Sequence, residues 1–313
     1  MKAALLKAFG VLLMLSAAAL AISRAPDRPV ETLVARWAPP PSDFIEVKGQ
    51  VVHLRDEGRR DDPLPLVLIH GTSSSLHTWE GWVRFLKRQR RVITFDLPGF
   101  GLTGPSASGD YRADTDARFV LDVLDTLHVQ RFAIGGNSLG GEVAWRTAWL
   151  ARERVERLIL VDAAGLPFAP QSVPLGWRLA RVPVLNRVLE EVLPRALVAQ
   201  GLANAYGHPE RITSDLVDRY FELTLRDGNR RALVERLAQA TPGADAEHVK
   251  ALSLPTLIVW GGRDRLIPRA AGERFHADIA GSRLVVFDDL GHLPHEEDPE
   301  RTIAPVREFL DLR

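Results

Sequence analysis

The stretch Phe132-Ala133-Ile134-Gly135-Gly136-Asn137-Ser138-Leu139-Gly140-Gly141 decides how this chain reads. Its opening residues are apolar without alternation, as in a strand buried on both faces. The run that follows, Glu142 to Leu150, has helical character. A Gly-x-Ser-x-Gly pattern therefore falls on the turn between a buried strand and a helix. A turn that tight leaves almost no room for side chains two residues either side of the serine, which Gly136 and Gly140 satisfy. The hydroxyl is then held at the positive end of a helix. In a chain with 24 glycines the bare pattern carries little weight. Its position between strand and helix is what makes Ser138 a candidate nucleophile.

Outward from this turn, strands and helices alternate. Apolar runs at 44–47, 51–54, 66–69, 92–95, 132–134, 158–161, 256–260 and 284–287 predict strands. Helical patterns lie between them, clearest in the stripe Phe119, Val120, Val123, Leu124 and Leu127. The sum is an α/β fold: a mostly parallel, doubly wound, eight-stranded sheet with helices on both sides. Its core spans 42–164 and 249–313. The interval 165–248 lacks strands and carries prolines between helical stretches, so it reads as a helical insertion, a cap above the strand ends where open α/β sheets bind ligands. Within it Ser214 is expected to cap one helix, stopped by Gly228, and Asn229 to cap the next.

Three further strand ends carry candidate chemistry. The strand 66–69 runs into His70-Gly71-Thr72-Ser73. An oxyanion needs two preformed N–H donors, and the natural pair is the amide of Leu139, just past the serine, with that of Thr72; Ser73 can stand in for Thr72. His70 is expected to hold the loop by a hydrogen bond. Asp264 lies just past the strand 256–260 and can orient a histidine, with Asp162, after 158–161, as its competitor. His292 follows the last strand in a loop that can reach Ser138, with His295 as the alternative. His295-Glu296-Glu297 also reads as a loop anchor leading into the last helix.

The 40 basic and 40 acidic residues balance, which argues against a nucleic-acid partner. The absence of cysteine excludes disulfides, thiolate metal sites and a cysteine nucleophile. No metal or cofactor is expected, since His70, His77 and nearby carboxylates lack the convergent spacing of a zinc or calcium site. At the N-terminus Lys2 and Lys7 precede an uncharged stretch of 15 residues, Ala8 to Ile22. Residues 1–23 read as a cleaved signal peptide or as an uncleaved membrane anchor, so the body is expected outside the cytoplasm, periplasmic, secreted or held at the membrane of a bacterium. Residues 24–41, ending in three prolines, read as a stiff linker.

Ser138, Asp264 and His292, in that chain order and each beyond a strand end, together with Asp96-Leu97-Pro98-Gly99-Phe100-Gly101, resemble the α/β-hydrolase superfamily over residues 44–312. The resemblance implies that Ser138 attacks, His292 moves the proton, Asp264 fixes the imidazole, and the amides of Leu139 and Thr72 hold the oxyanion. It also makes 165–248 the family's cap. A serine at the elbow sets this chain apart from epoxide hydrolases and haloalkane dehalogenases, which carry aspartate there. Asn137-Ser138 followed by two glycines is similar to the meta-cleavage-product hydrolases that cut carbon–carbon bonds. Those enzymes usually have a glycine-rich loop and a tryptophan where this chain has Thr72-Ser73-Ser74-Ser75 and Leu293. They also use a cap arginine, for which Arg178, Arg181, Arg187 and Arg195 are candidates. The expected activity is hydrolysis of an apolar carboxylic ester through an acyl-enzyme. Carbon–carbon, amide, lactone or perhydrolase chemistry on the same triad are the alternatives. The complete set of triad residues argues against a non-enzymatic binding module. The cap's apolar residues, among them Leu175, Trp177, Leu179, Val184, Leu185, Val188 and Leu189, are expected to serve as pocket wall or as cap core.

Overall fold

The computed structural model describes residues 7, 9–11, 14, 23–182 and 190–312. Eight strands form one sheet: β1 (Ser42–Val47), β2 (Gln50–Glu57), β3 (Leu66–Ile69), β4 (Val92–Phe95), β5 (Phe132–Asn137), β6 (Val155–Val161), β7 (Thr256–Gly261) and β8 (Arg283–Phe287). They lie in the order β1-β2-β4-β3-β5-β6-β7-β8. β2 runs antiparallel to both its neighbours, and all other pairings are parallel.

The central strands are apolar at consecutive positions because each feeds two cores. Val67, Ile69, Ile134, Leu158, Leu160, Ile258 and Trp260 point to one face of the sheet. Leu66, Leu68, Ala133, Ile159, Val161, Leu257 and Val259 point to the other. Alternation along a strand thus separates the two layers, and burial of each such aliphatic side chain stabilises the fold by about 1.5–3 kcal/mol. Rigid strands then deliver their carboxyl ends, with the turns that follow, to one edge of the sheet.

Between β6 and β7 come the helices Leu175–Ala180, Arg195–Ala205, Ser214–Thr224 and Asn229–Gln239. Two details differ from the sequence expectation. The cap of Ser214–Thr224 is Thr213, whose side chain accepts from the Leu216 N–H at 3.1 Å, so Ser214 is already in the helix. The Asn229 side chain does not cap its helix but donates to the carbonyls of Gly101 (3.0 Å) and Leu223 (2.9 Å), tying this helix to the core loop after β4.

Residues 24–41 are docked, which corrects the expectation of a stiff linker. Glu31–Trp37 is a helix that buries Leu33 against Leu102 and Leu223. Trp37 Nε1 donates to Glu222 at 2.7 Å, and Arg36 pairs with the same carboxylate at 2.8 Å. Asp27 accepts from Arg230 Nε at 3.1 Å. Composition pointed to the prolines; the apolar Leu33 and the complementary charges on the Ser214–Thr224 helix outweigh them. Among the described residues no helix is long and apolar enough to cross a membrane. Most of the stretch expected to be a signal peptide or anchor lies outside the described residues, and Val184, Leu185, Arg187, Val188 and Leu189 lie outside them too.

Candidate active site

Ser138 occupies the turn from β5 into the helix Leu139–Leu150 with φ +56° and ψ −120°, a conformation that costs a non-glycine residue of order 1–3 kcal/mol. The surrounding glycines explain how the turn closes. A Cβ on Gly136 would stand 2.0 Å from the carbonyl oxygen of Gly140, and one on Gly140 would stand 2.1 Å from that of Ile69. The helix therefore starts in contact with the end of β3. Its first N–H groups, that of Leu139 among them, have no intrahelical partner and point toward the serine end.

The loop after β3 is held by His70. Its Nε2 accepts from the Leu97 N–H at 3.0 Å, which leaves Nδ1 protonated to donate to the Gly71 carbonyl at 2.8 Å. Burial pushes this imidazole below its ordinary range, in keeping with the neutral tautomer. Next to it Asp96 accepts from the N–H groups of Leu76 (2.7 Å) and Leu102 (2.8 Å) and from His53 Nδ1 (2.7 Å). Burial works against its charge, yet the neighbouring His53, His70 and His77 hold the carboxyl below the usual range. The loops after β3 and β4 are thereby fixed to one another, and Thr72 sits at the front of this assembly.

Asp264 follows β7. Its Oδ1 accepts from the amides of Leu266 (2.8 Å) and Ile267 (3.0 Å), and its Oδ2 meets His292 Nδ1 at 2.6 Å. The His292 carbonyl in turn accepts from Asn137 Nδ2 at 3.0 Å, which joins the loop after β8 to the residue just before the serine. Ser138, Thr72 and His292 line a single cavity of about 170 Å³. Its far wall comes from the helices between β6 and β7, through Trp177, Leu197, Leu202 and Leu233, and its chemistry is overwhelmingly apolar.

His295, the alternative histidine, does not face this cavity. It is fully buried, tilted against Trp79 with ring centroids 4.1 Å apart, and its Nε2 bonds Thr78 Oγ1 at 3.0 Å. Of the candidate cap arginines, Arg178, Arg181 and Arg195 are exposed and do not line the cavity, and Arg187 lies outside the described residues. Among the described residues the arginine that does line it is Arg230, which pairs with Asp27. Sequence reasoning passed over Arg230 because its partner lies 203 positions away.

Asp162, Asp264 and His292 present ligand atoms within 4.8 Å of one another. A cation there would have to displace the Asp264–His292 hydrogen bond, since the other oxygen of Asp264 already accepts two amides. The donor set suits orientation of an imidazole better than coordination of a metal.

A family model described as the alpha/beta hydrolase fold matches residues 65–299. The chain belongs to the alpha/beta hydrolase family. Among the curated relatives of this hydrolase, a 2-hydroxy-6-oxononadienedioate/2-hydroxy-6-oxononatrienedioate hydrolase of Escherichia coli K12 is 30% identical over 290 residues, covering 85% of this chain and 93% of its own. Among solved structures, a meta-cleavage product hydrolase from Pseudomonas fluorescens IP01 is similar with a TM-score of 0.74 at 26% identity, over 86% of this hydrolase and 97% of that chain. A membrane phospholipase A described as a bacterial virulence factor is similar with a TM-score of 0.72 at 25% identity, over 99% of this chain and 98% of its own.

Proposed function

We propose that this hydrolase cleaves carboxylic esters of apolar acids through an acyl-enzyme on Ser138. His292 Nε2 takes the proton of the Ser138 hydroxyl as Oγ adds to the ester carbonyl, and Asp264 holds Nδ1–H and stabilises the imidazolium. The amides of Leu139 and Thr72 receive the oxyanion. The imidazolium then protonates the departing alcohol, and water, activated by His292, releases the acid.

The observation that carries this reading is the apolar cavity bounded on one side by Ser138 and His292 and on the other by the cap helices. Such a wall accommodates an aliphatic acyl chain. A carbon–carbon hydrolase acting on a ring-cleavage product must also neutralise a carboxylate, and the cavity's Arg230 is engaged with Asp27. The similarity to a membrane phospholipase A supports the ester reading, and that to meta-cleavage product hydrolases supports the alternative.

The N-terminal segment fits an enzyme that meets its substrate outside the cytoplasm, at or near a membrane. At Ser23 the chain runs beside the cavity, the Ser23 carbonyl accepting from the N–H of Leu193, a cavity residue, at 3.1 Å.

The test is hydrolysis of p-nitrophenyl esters from acetate upward by the full-length enzyme, with Ser138→Ala beside it. The expected outcome is turnover that rises with acyl length to an optimum, falls by about 10⁴-fold or more in the variant, and is abolished by a fluorophosphonate. Turnover of a 2-hydroxy-6-oxo-dienoic acid with none of any ester would replace this reading by carbon–carbon hydrolysis. Recovery of the enzyme in the cytosolic fraction alone would remove the exported location.

A further inference from the structure

Asp162 is a buried carboxyl that the proposed chemistry does not use. It lies just past β6 with φ +45°, in a turn whose Ala164 N–H donates to the Ser138 carbonyl at 2.9 Å. Its Oδ1 accepts from the Gly261 N–H at 2.9 Å, while its Oδ2 is fully buried and meets no donor among the described residues. The residue lies in a three-residue cluster with Asp264 and His292 whose ligand atoms are within 4.8 Å of one another.

Two carboxylates with oxygens within 4.8 Å of one another, both removed from solvent, cannot both hold a charge cheaply, because their repulsion is no longer screened by water. One of them keeps a proton, and the partners decide which. Asp264 has two amide donors and His292 Nδ1, whereas Asp162 has one amide. Three donors stabilise the anion on Asp264, and the proton stays on Asp162.

We propose that Asp162 is a positioning residue: it remains a carboxylic acid and donates its proton in a hydrogen bond to Asp264, so that the pair presents one negative charge to His292. The groups facing it are Asp264 and His292, from the loops after β7 and β8, and Glu297, from the short helix Pro294–Glu297. Burial, then the charge of Asp264, then that of Glu297 all push the Asp162 carboxyl well above the usual carboxylate range. The bond it donates pins the Asp264 carboxylate and draws part of its charge away from the imidazole. This inference rests on the serine-hydrolase reading for its kinetic consequence but not for its proton.

The experiment uses the full-length enzyme, p-nitrophenyl butyrate as substrate, and the pH profile of kcat/KM for wild type, Asp162→Ala and Asp162→Asn. Without the donated bond the charge on Asp264 grips the imidazolium more tightly, so in Asp162→Ala the acid limb moves up by about one pH unit and kcat/KM near pH 6 falls several-fold. Asn keeps both a donor for Asp264 and an acceptor for Gly261, and Asp162→Asn returns the limb to the wild-type position. An ionised Asp162 predicts the reverse for Asn: loss of a negative charge beside the imidazole moves the limb down by a unit or more, which would overturn the proposal. An acid limb unmoved in Asp162→Ala would also overturn it, reducing the residue to a structural role. Where Asp162→Ala fails to fold, the Asn variant alone decides. The infrared difference between wild type and Asp162→Asn at pH 7 supplies an arm independent of turnover. The carbonyl band of a buried carboxylic acid, lost in the variant, supports the pair even if no ester is cleaved; its absence from wild type rules the pair out.

Discussion

The N–H of His292 donates to the carbonyl of Ala205 at 2.6 Å. Ala205 is the last residue of the cap helix Arg195–Ala205 and also lines the cavity, so the histidine loop and the roof of the pocket share a hydrogen bond. Glu297 fastens the same junction: it accepts from the amides of Gly207 (3.0 Å), His208 (2.7 Å) and Gly291 (2.9 Å). A nearby second carboxylate, Glu296, accepts from Tyr206 at 2.8 Å and Arg219 at 2.6 Å. The cap is therefore tied to the core at the loop that presents His292.

Replacing Glu297 by Gln leaves one acceptor and turns an NH₂ toward backbone N–H groups. Loss of a buried charge-assisted cluster of this kind costs about 2–4 kcal/mol. We expect a lower urea midpoint and a kcat/KM reduced about 10–100-fold, mainly in kcat, since His292 loses its fixed position. Unchanged kcat with a lower midpoint would separate the anchor from the chemistry.

His77 ties the N-terminal segment to the core, its Nε2 meeting the Trp37 carbonyl at 2.7 Å and its Nδ1 the Ser75 hydroxyl at 3.0 Å. Burial pushes this imidazole down to about 3 from its ordinary 6.5. The folded state keeps it neutral while the unfolded chain takes a proton below pH 6.5, so stability is lost as pH falls from there toward about 3. His77→Gln removes that one contribution, and its stability should fall less steeply than wild type by about 1.4 kcal/mol per pH unit. Urea titrations at pH 6.5 and 5.0 measure it; equal slopes would show that His77 accepts a proton in the fold.

Gly140→Ala tests the close approach that builds the elbow. The added methyl would stand 2.1 Å from the Ile69 carbonyl oxygen and 2.5 Å from that of His70, both backbone atoms of a central strand and the turn after it. Neither can retreat without breaking the sheet, and we expect a loss of more than about 3 kcal/mol or failure to fold. A soluble variant with wild-type thermal stability would mean that the helix starts farther from β3.

Much of this architecture is legible in local sequence, and the reason differs by element. The strands read clearly because burial on both faces makes consecutive residues apolar, as Leu257 and Ile258 feed opposite cores. The elbow reads clearly because backbone contacts closer than a methyl admit only glycine at 136 and 140. Residues 24–41 misled because their docking depends on a few scattered apolar residues, Leu33 with Val30, Trp37 and Ala38, and on ion pairs with Glu222 and Arg230, whose register no local pattern reveals. The nearness of Asp162 to Asp264 is hidden for the same reason: the two residues belong to turns after adjacent strands, β6 and β7, that are far apart in the chain.

Gly201 offers a way to gauge the cavity from the cap side. It lies within the helix Arg195–Ala205 and lines the cavity, and a Cβ placed on it would meet nothing within 4 Å among the described residues. Glycine inside a helix costs about 1 kcal/mol relative to a good helix former, so Gly201→Leu should hold or raise thermal stability. The new side chain enters a cavity of about 170 Å³, and a leucine removes a large share of that space. Esters of longer acids should then lose kcat/KM by about 10-fold or more while acetate and propionate esters keep theirs, because only the long chains need the occupied volume. An acyl-length profile that ignores the leucine would place the acyl chain elsewhere and assign the cap-side wall to the alcohol portion.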